Sequence, residues 1–185
     1  LVGYVLPGMK PLKKYDSIES DVAPDAILLD TNALKNDPAV RVQGEASQWV
    51  CLETAKWILA HKPKSVLELA SGKGGKLLGT LAAVKRLDPN WSAQLFWCAS
   101  DVSTKQLGYL ENDVRPLVKK LFPNVSLSVC ESADVKPAHY DLVALDAPCT
   151  GFGTLAKHPQ IAWTRGAHAF DEAKKLAILQ KELIT

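Results

Sequence analysis

A chain of 185 residues is long enough to bury one sizeable core. Its 47% hydrophobic and 23% charged residues are those of an ordinary soluble globular protein, and a net charge of +2 selects no partner class on its own. No apolar run reaches the roughly 20 residues a membrane-spanning helix needs, and the lysines of LVGYVLPGMKPLKKYDS follow its apolar part, the reverse of a secretory signal.

Residues 1–44 are rich in Pro, Asp and Asn, with only the short apolar runs AILL and VRV, and read as a lead-in segment with two strands. The pattern changes at Gln43. SQWVCLETAKWILA places Val50, Thr54, Trp57 and Ile58 at helical spacing after a cap at Ser47, and Pro63 stops the helix. A regular alternation follows. Strands are expected at 64–70, 93–101, 125–131 and 140–146, with helices at 74–87, at 103–121 despite Pro116, and at 169–184. Strands alternating with helices predict a doubly wound, mostly parallel α/β sheet, Rossmann-like, over 45–185. With four strands in hand, a fifth is expected after Thr185, as in a fragment of a longer protein. Local basic clusters such as HKPK and GKGGK suit a polyanion, although solvated lysines explain them as well.

Four cysteines, Cys51, Cys98, Cys130 and Cys149, are widely spaced, and two sit in strand-like runs. A disulfide framework is not expected, and a reducing, cytoplasmic setting is. His61, His139 and His168 show no ligand spacing and no C-x-x-C is present, so no metal site is expected.

Glu68, Asp101, Glu131 and Asp146 all fall at the carboxyl ends of expected strands, where open α/β sheets bind ligands. The loop after the first of these strands, Ala70, Ser71, Gly72, Lys73, Gly74, Gly75 and Lys76, opens a helix and can hold a ligand on backbone amides. It is not a P-loop: Leu77 stands where Ser or Thr is required, and Ala70 where the first glycine is. A dinucleotide reading is strained, because Asp101 lies 29 residues beyond Gly72 and Glu68 would repel a pyrophosphate. A cationic ligand reverses that sign. S-adenosylmethionine, with its sulfonium, its amino group and ribose hydroxyls for Asp101, fits; a tight turn without ligand is the plainer reading. In YDLVALDAPCTGFGTL, a buried-type strand delivers Asp146 and Cys149 three residues apart, on a backbone stiffened by Pro148 and loosened by Gly151 and Gly153.

With these motifs in place, the chain from Val42 onward resembles the Sun/Fmu-type family of RNA (cytosine-5) methyltransferases. VQGEAS is similar to the family's V-Q-D-x-A-S, VLELASGKGGK to V-L-D-L-C-A-A-P-G-G-K, and ASDVSTKQLGYLENDVRPL to A-x-D-x-S-x-x-R-L-x-x-L-x-x-N-x-x-R-L. LDAPCTGFGTLAKHPQIAW, close to L-D-A-P-C-S-G-x-G-T-x-x-x-H-P-x-I-x-W, is the most specific. Glu68 and Glu131 replace aspartates, Gly72-Lys73 replaces Ala-Pro, and Gln106 replaces Arg; Lys73 adds a charge to the loop.

The resemblance implies a sheet of the S-adenosylmethionine methyltransferase type and formation of 5-methylcytosine in ribosomal or transfer RNA. Carbon 5 of cytosine is a poor nucleophile until a thiolate adds to carbon 6, and an acid is needed at the ring nitrogen, for which Asp146 is the candidate. The target base must be single-stranded or flipped out. The family's attacking cysteine lies in a T-C motif on the next strand, expected beyond Thr185. Cys149 is then the second thiol, which assists product release; its plain alternative is a small buried residue in a turn. His158 and Trp163 match the motif, but loop ordering and core packing explain them first, and Asn112 and Arg115 serve as well to pin a helix. Two other readings stand beside the enzyme: a non-catalytic RNA- or cofactor-binding relative, and a nicotinamide oxidoreductase, against which Glu68 and DAPC both argue.

Overall fold

Two sheets order the chain in the computed structural model, which describes residues 2–11, 14–17, 23, 26–28, 37–136, 138–151, 161, 163 and 169–183. The first is antiparallel. Strand β1 (Val2–Val5) pairs with both β2 (Ile27–Leu28) and β3 (Val40–Val42), in the order β2-β1-β3. The described residues of the lead-in thus hold three strands where two were expected. Strand β1 carries no alternation of its own; it is set by pairing across the chain and by burial of Tyr4, which with Leu6 just beyond the strand packs on Ala82.

Helix α1 (Glu45–His61) buries Gln48, Cys51, Leu52, Ala55 and Ile58, one face of a 3.6-residue repeat. Its cap is Gly44, not Ser47, which lies inside the first turn. The helix ends where Lys62 turns left-handed (φ 52°) and returns its N–H to the Ile58 carbonyl, with Pro63 next.

The second sheet contains β4 (Ser65–Leu69), β5 (Leu95–Asp101), β6 (Val125–Glu131) and β7 (Leu142–Leu145), in the order β6-β5-β4-β7. Strands β4, β5 and β6 are parallel, with Glu68 opposite Ala99 and Asp101 opposite Glu131. The chain winds outward from β4 to β6 and then returns to the far side of β4. This Rossmann-like order puts the topological switch point between β4 and β7.

Helix α2 (Gly75–Leu87) is buried almost all round from Leu77 to Val84. Leu77, Leu81 and Val84 pack with Val66, Trp97 and Ala99 of the sheet, while Ala82 meets Tyr4 and Leu6. Each fully buried side chain of this size contributes about 1.5–3 kcal/mol. The helix expected at 103–121 is three pieces: α3 (Thr104–Tyr109), capped by the Ser103 hydroxyl, a π turn (Leu110–Val114), and α4 (Arg115–Leu121). Pro116 has no N–H, and its ring crowds the carbonyl four residues back. The ladder widens just before it, with the Arg115 N–H donating to Leu110. Arg115 also donates to the Leu127 carbonyl (2.6 Å), so it pins this helix to β6. Helix α5 (Ala169–Glu182) closes the described chain.

The residues form two compact units, Leu1–Ala144 and Leu145–Thr185. Packing does not break at residue 44: Gln48 donates to the Gly3 and Gln43 carbonyls (3.2 and 2.9 Å), tying the lead-in to α1. Among the described residues, no helix is long and apolar enough to cross a membrane.

Asp141 sets β7 beside β4. Its carboxylate accepts the N–H groups of Lys64 (2.7 Å) and Ser65 (3.0 Å), and its own N–H donates to the Ser65 hydroxyl (3.2 Å). These donors, the Lys64 N–H foremost, hold the Asp141 carboxyl below its ordinary 3.8. A depressed folded value stabilises the fold above the ordinary value, and that contribution is lost as pH falls through the folded one. Asp141→Asn should therefore flatten the loss of stability from about pH 5 downward, read as the urea midpoint against pH. An unchanged acid limb would remove Asp141 from this role.

Candidate functional site

The loop between β4 and α2 lies at the carboxyl end of the sheet and is built on left-handed backbone. Ala70 (φ 55°), Gly72 (φ 55°) and Gly74 (φ 73°) all have positive φ. For Ala70 this is a strained conformation, of a kind that concentrates at functional turns. Gly74 is required twice, because a Cβ there would lie 2.9 Å from Leu110 and 3.0 Å from Val114. Both side chains belong to the π turn that precedes Pro116. At Gly72 and Gly75 a Cβ would meet nothing within 4 Å, so the protein leaves that space open.

Asp101 organises the loop. The carboxylate is buried, with one oxygen accepting the Gly72 N–H (2.8 Å) and the other the Ser103 N–H (2.9 Å). One side chain at the end of β5 thereby joins the glycine loop to the start of α3. Each oxygen retains acceptor capacity beyond these bonds. The Ser71 N–H donates to the Ser100 carbonyl (2.9 Å), and the Ser71 and Ser100 hydroxyls both donate to the Glu68 carbonyl (3.0 and 3.3 Å).

Glu68 is turned inward. Only 3% exposed, its carboxylate accepts the Trp97 indole N–H (3.1 Å). A buried indole needs an acceptor, and this one fixes the strand that precedes the loop. Glu131, beside Asp101 in register, is exposed. Lys73 directs its ammonium over the Tyr109 ring, 4.8 Å from the centroid, so its added charge has an aromatic partner. Lys76 follows Gly75 in the first turn of α2, which has no side-chain cap and no acidic residue. Such a turn presents backbone N–H groups and the positive end of the helix dipole.

The structure thus brings Glu68, Ala70, Ser71, Gly72, Gly74 and Asp101 into one hydrogen-bonded turn. In the second unit, Asp146 follows directly on β7, and Asp146 and Cys149 are both exposed. Exposure removes the reading of Cys149 as a buried turn residue. The Pro148 carbonyl accepts from Gln180 of α5 (2.7 Å), which fixes the turn just before Cys149. Trp163 is 88% exposed and is not a core residue, and Asn112 lies exposed on the π turn. Gly153, His158 and His168 lie outside the described residues. Among the described residues, no group of three or more His, Cys, Asp or Glu could hold a metal.

Gln43 was read only as part of a motif, yet it reaches the loop: its amide donates to the Gly75 carbonyl (3.2 Å) and to the Cys51 sulfur (3.4 Å). Trp97 was read only as part of the strand expected at 93–101. Neither the Gln43–Gly75 bond nor the Trp97–Glu68 bond shows in the local pattern, because the partners are about thirty residues apart, across a helix contact or a strand register.

Residues 55–185 match the family model described as 16S rRNA methyltransferase RsmB/F. Ribosomal RNA small subunit methyltransferase B of Escherichia coli O6:K15:H31 is 27% identical over 167 residues, and that of Cronobacter sakazakii is 26% identical. Each match covers 87% of this chain and 35% of the relative, so the chain spans about a third of the length of these curated relatives. Among solved structures, the SAH-bound Podospora anserina methyltransferase PaMTH1 aligns with a TM-score of 0.40 and 18% identity, over 68% of this chain and 49% of its own. That likeness is too partial to add to the strand order.

Proposed function

Because the chain belongs to the 16S rRNA methyltransferase RsmB/F family, we propose that the complete protein transfers a methyl group from S-adenosylmethionine to carbon 5 of a cytosine in RNA. The names of its relatives favour ribosomal over transfer RNA as the substrate. Residues 45–185 are assigned to the methyltransferase domain, with 1–44 as a lead-in packed on it. Four free cysteines suit a cytoplasmic setting.

The observation that carries this reading is the Asp101 clamp, a buried carboxylate pinning Gly72 at the carboxyl end of β5. The residues present fit the cofactor. Asp101 retains acceptor capacity for a ribose diol, the space at Gly72 and Gly75 is open, and the uncapped start of α2 suits the carboxylate of an amino acid. S-adenosylmethionine supplies a methyl group carried on a sulfonium. Asp101 would hold the ribose, and Glu131 lies beside it in register at the same sheet edge. Glu68, engaged by Trp97, acts by holding the Ser71 hydroxyl on its carbonyl. Asp146 holds a proton at the cytosine ring nitrogen where charge develops, and Cys149 assists release of the methylated base.

The test is methyl transfer from labelled S-adenosylmethionine to unmodified small-subunit ribosomal RNA by the complete protein, with nucleosides identified by mass spectrometry. Labelled 5-methylcytidine is expected. Cofactor binding without transfer would return the non-catalytic relative, and NAD binding in place of S-adenosylmethionine would return the oxidoreductase.

A further inference from the structure

The two ends of the parallel sheet carry opposite charge. Glu68, Asp101 and Glu131 lie at the carboxyl end. Helices α1, α2 and α4 each finish just before a strand begins, so Lys85, Arg86, Lys119 and Lys120 in the last turns of α2 and α4 lie at the amino end. Such residues complement the helix dipole and by themselves mark nothing. That account does not reach Lys64, two residues past the cap of α1, or the ring of Phe96.

Lys62, Lys64, Gln94, Phe96 and Ser126 line one groove of about 510 Å³, open to solvent. Backbone pairing fixes their spacing: the Phe96 N–H donates to the Lys64 carbonyl (2.9 Å), and Ser126 stands opposite Phe96 in register. Phe96 is 40% exposed, while every other residue of β5 is buried. A strand in the middle of a parallel sheet is normally covered on both faces. Leu95, Trp97 and Ala99 pack with α2, so the Phe96 ring projects from the opposite face. Both lysines are exposed, and neither is in a salt bridge among the described residues. The carboxylates at this end are already engaged: Asp141 accepts the N–H groups of Lys64 and Ser65, and Asp88 that of Asn90.

We propose that this groove binds a single-stranded stretch of RNA, with one base stacked on Phe96 and the flanking phosphates on Lys62 and Lys64. The inference rests on the methyl-transfer reading for the identity of the polyanion, and adds a contact remote from that site. Phe96 and Asp101 are five residues apart on one strand, about 17 Å. The groove therefore holds RNA that flanks the target and not the target base. An acidic carboxyl end repels a phosphate chain, and the basic amino end attracts it. An acidic protein would use the lysines equally, but the exposed ring favours a nucleic acid, because every base has a face that stacks.

Irradiation of the complete protein with an oligouridylate of about 12 nucleotides carrying 4-thiouridine should cross-link Phe96, located by mass spectrometry. Lys62→Gln with Lys64→Gln should reduce the slope of log Kd against log salt by about 1.4, the value for two phosphates on a single strand. Phe96→Leu should weaken oligouridylate binding about fivefold or more and leave polyglutamate binding unchanged. An unchanged urea midpoint shows that the variants are folded, and the cross-link needs no variant. No cross-link at Phe96, an unchanged slope, or an equal loss of polyglutamate binding would each overturn the proposal, the last by returning a surface for an acidic protein. Methylated RNA with none of the expected effects would sink this inference alone. Cross-link and slope change without methyl transfer would leave it standing and sink the methyl-transfer reading.

Discussion

Asp101→Ala in the complete protein should weaken S-adenosylhomocysteine binding by about 2–3 kcal/mol, roughly 30- to 150-fold, the scale for hydrogen bonds to a charged acceptor. Two losses combine. The ribose diol loses its acceptor, and the N–H groups of Gly72 and Ser103 lose the carboxylate that joins the loop to α3. Asp101→Asn separates them, since an amide oxygen can still accept one of the two N–H groups. Asparagine should therefore recover part of the affinity. Calorimetry checks both variants, and an alanine variant with unchanged affinity would remove Asp101 from the site.

Cys149→Ala should convert a turning-over enzyme into one that stays attached to its RNA. If the attacking thiol is that of the family's T-C motif, alanine at 149 leaves attack and methyl transfer in place and removes only the group that assists release. A protein–RNA species that survives denaturing electrophoresis and depends on S-adenosylmethionine should accumulate. The local structure suits that division of labour. Cys149 is exposed, and Gln180 fixes the Pro148 carbonyl immediately before it. Cys51 and Cys98 are buried and Cys130 is half-buried in β6, with burial pushing the Cys130 thiol up to about 11. A thiol so raised stays protonated and is a poor nucleophile. Free RNA with no shifted band would mean that Cys149 itself attacks, or that the enzyme reading fails.

Both predictions lean on parts of the chain that announce themselves locally. Glycines before a helix, an aspartate closing an apolar strand and D-A-P-C after another are short-range patterns, read without knowing what lies opposite. The elements of the alternating sheet were legible for the same reason. Their boundaries moved by no more than two residues, and at Pro116, which lacks an N–H, one expected helix became two joined by a π turn.

The lead-in was less legible. Its strand β1 exists because Gly3, Tyr4 and Val5 find β3 and because Tyr4 and the adjoining Leu6 find Ala82, none of which is a property of VGYV alone. Which acidic strand end does what was also beyond pattern. Four looked alike, yet Glu68 is sealed against Trp97, Asp101 clamps two backbone N–H groups, and Glu131 and Asp146 stand exposed. Composition and spacing by themselves determined an α/β chain with a glycine loop at its first strand end and a thiol–carboxylate turn at its fourth, because residue type and period act within a few residues. Only the tertiary structure decided that Gln43 holds Gly75 and that Asp141 joins β4 to β7. Those bonds form between residues about thirty or more apart, brought together only when the sheet register and the helix packing are in place.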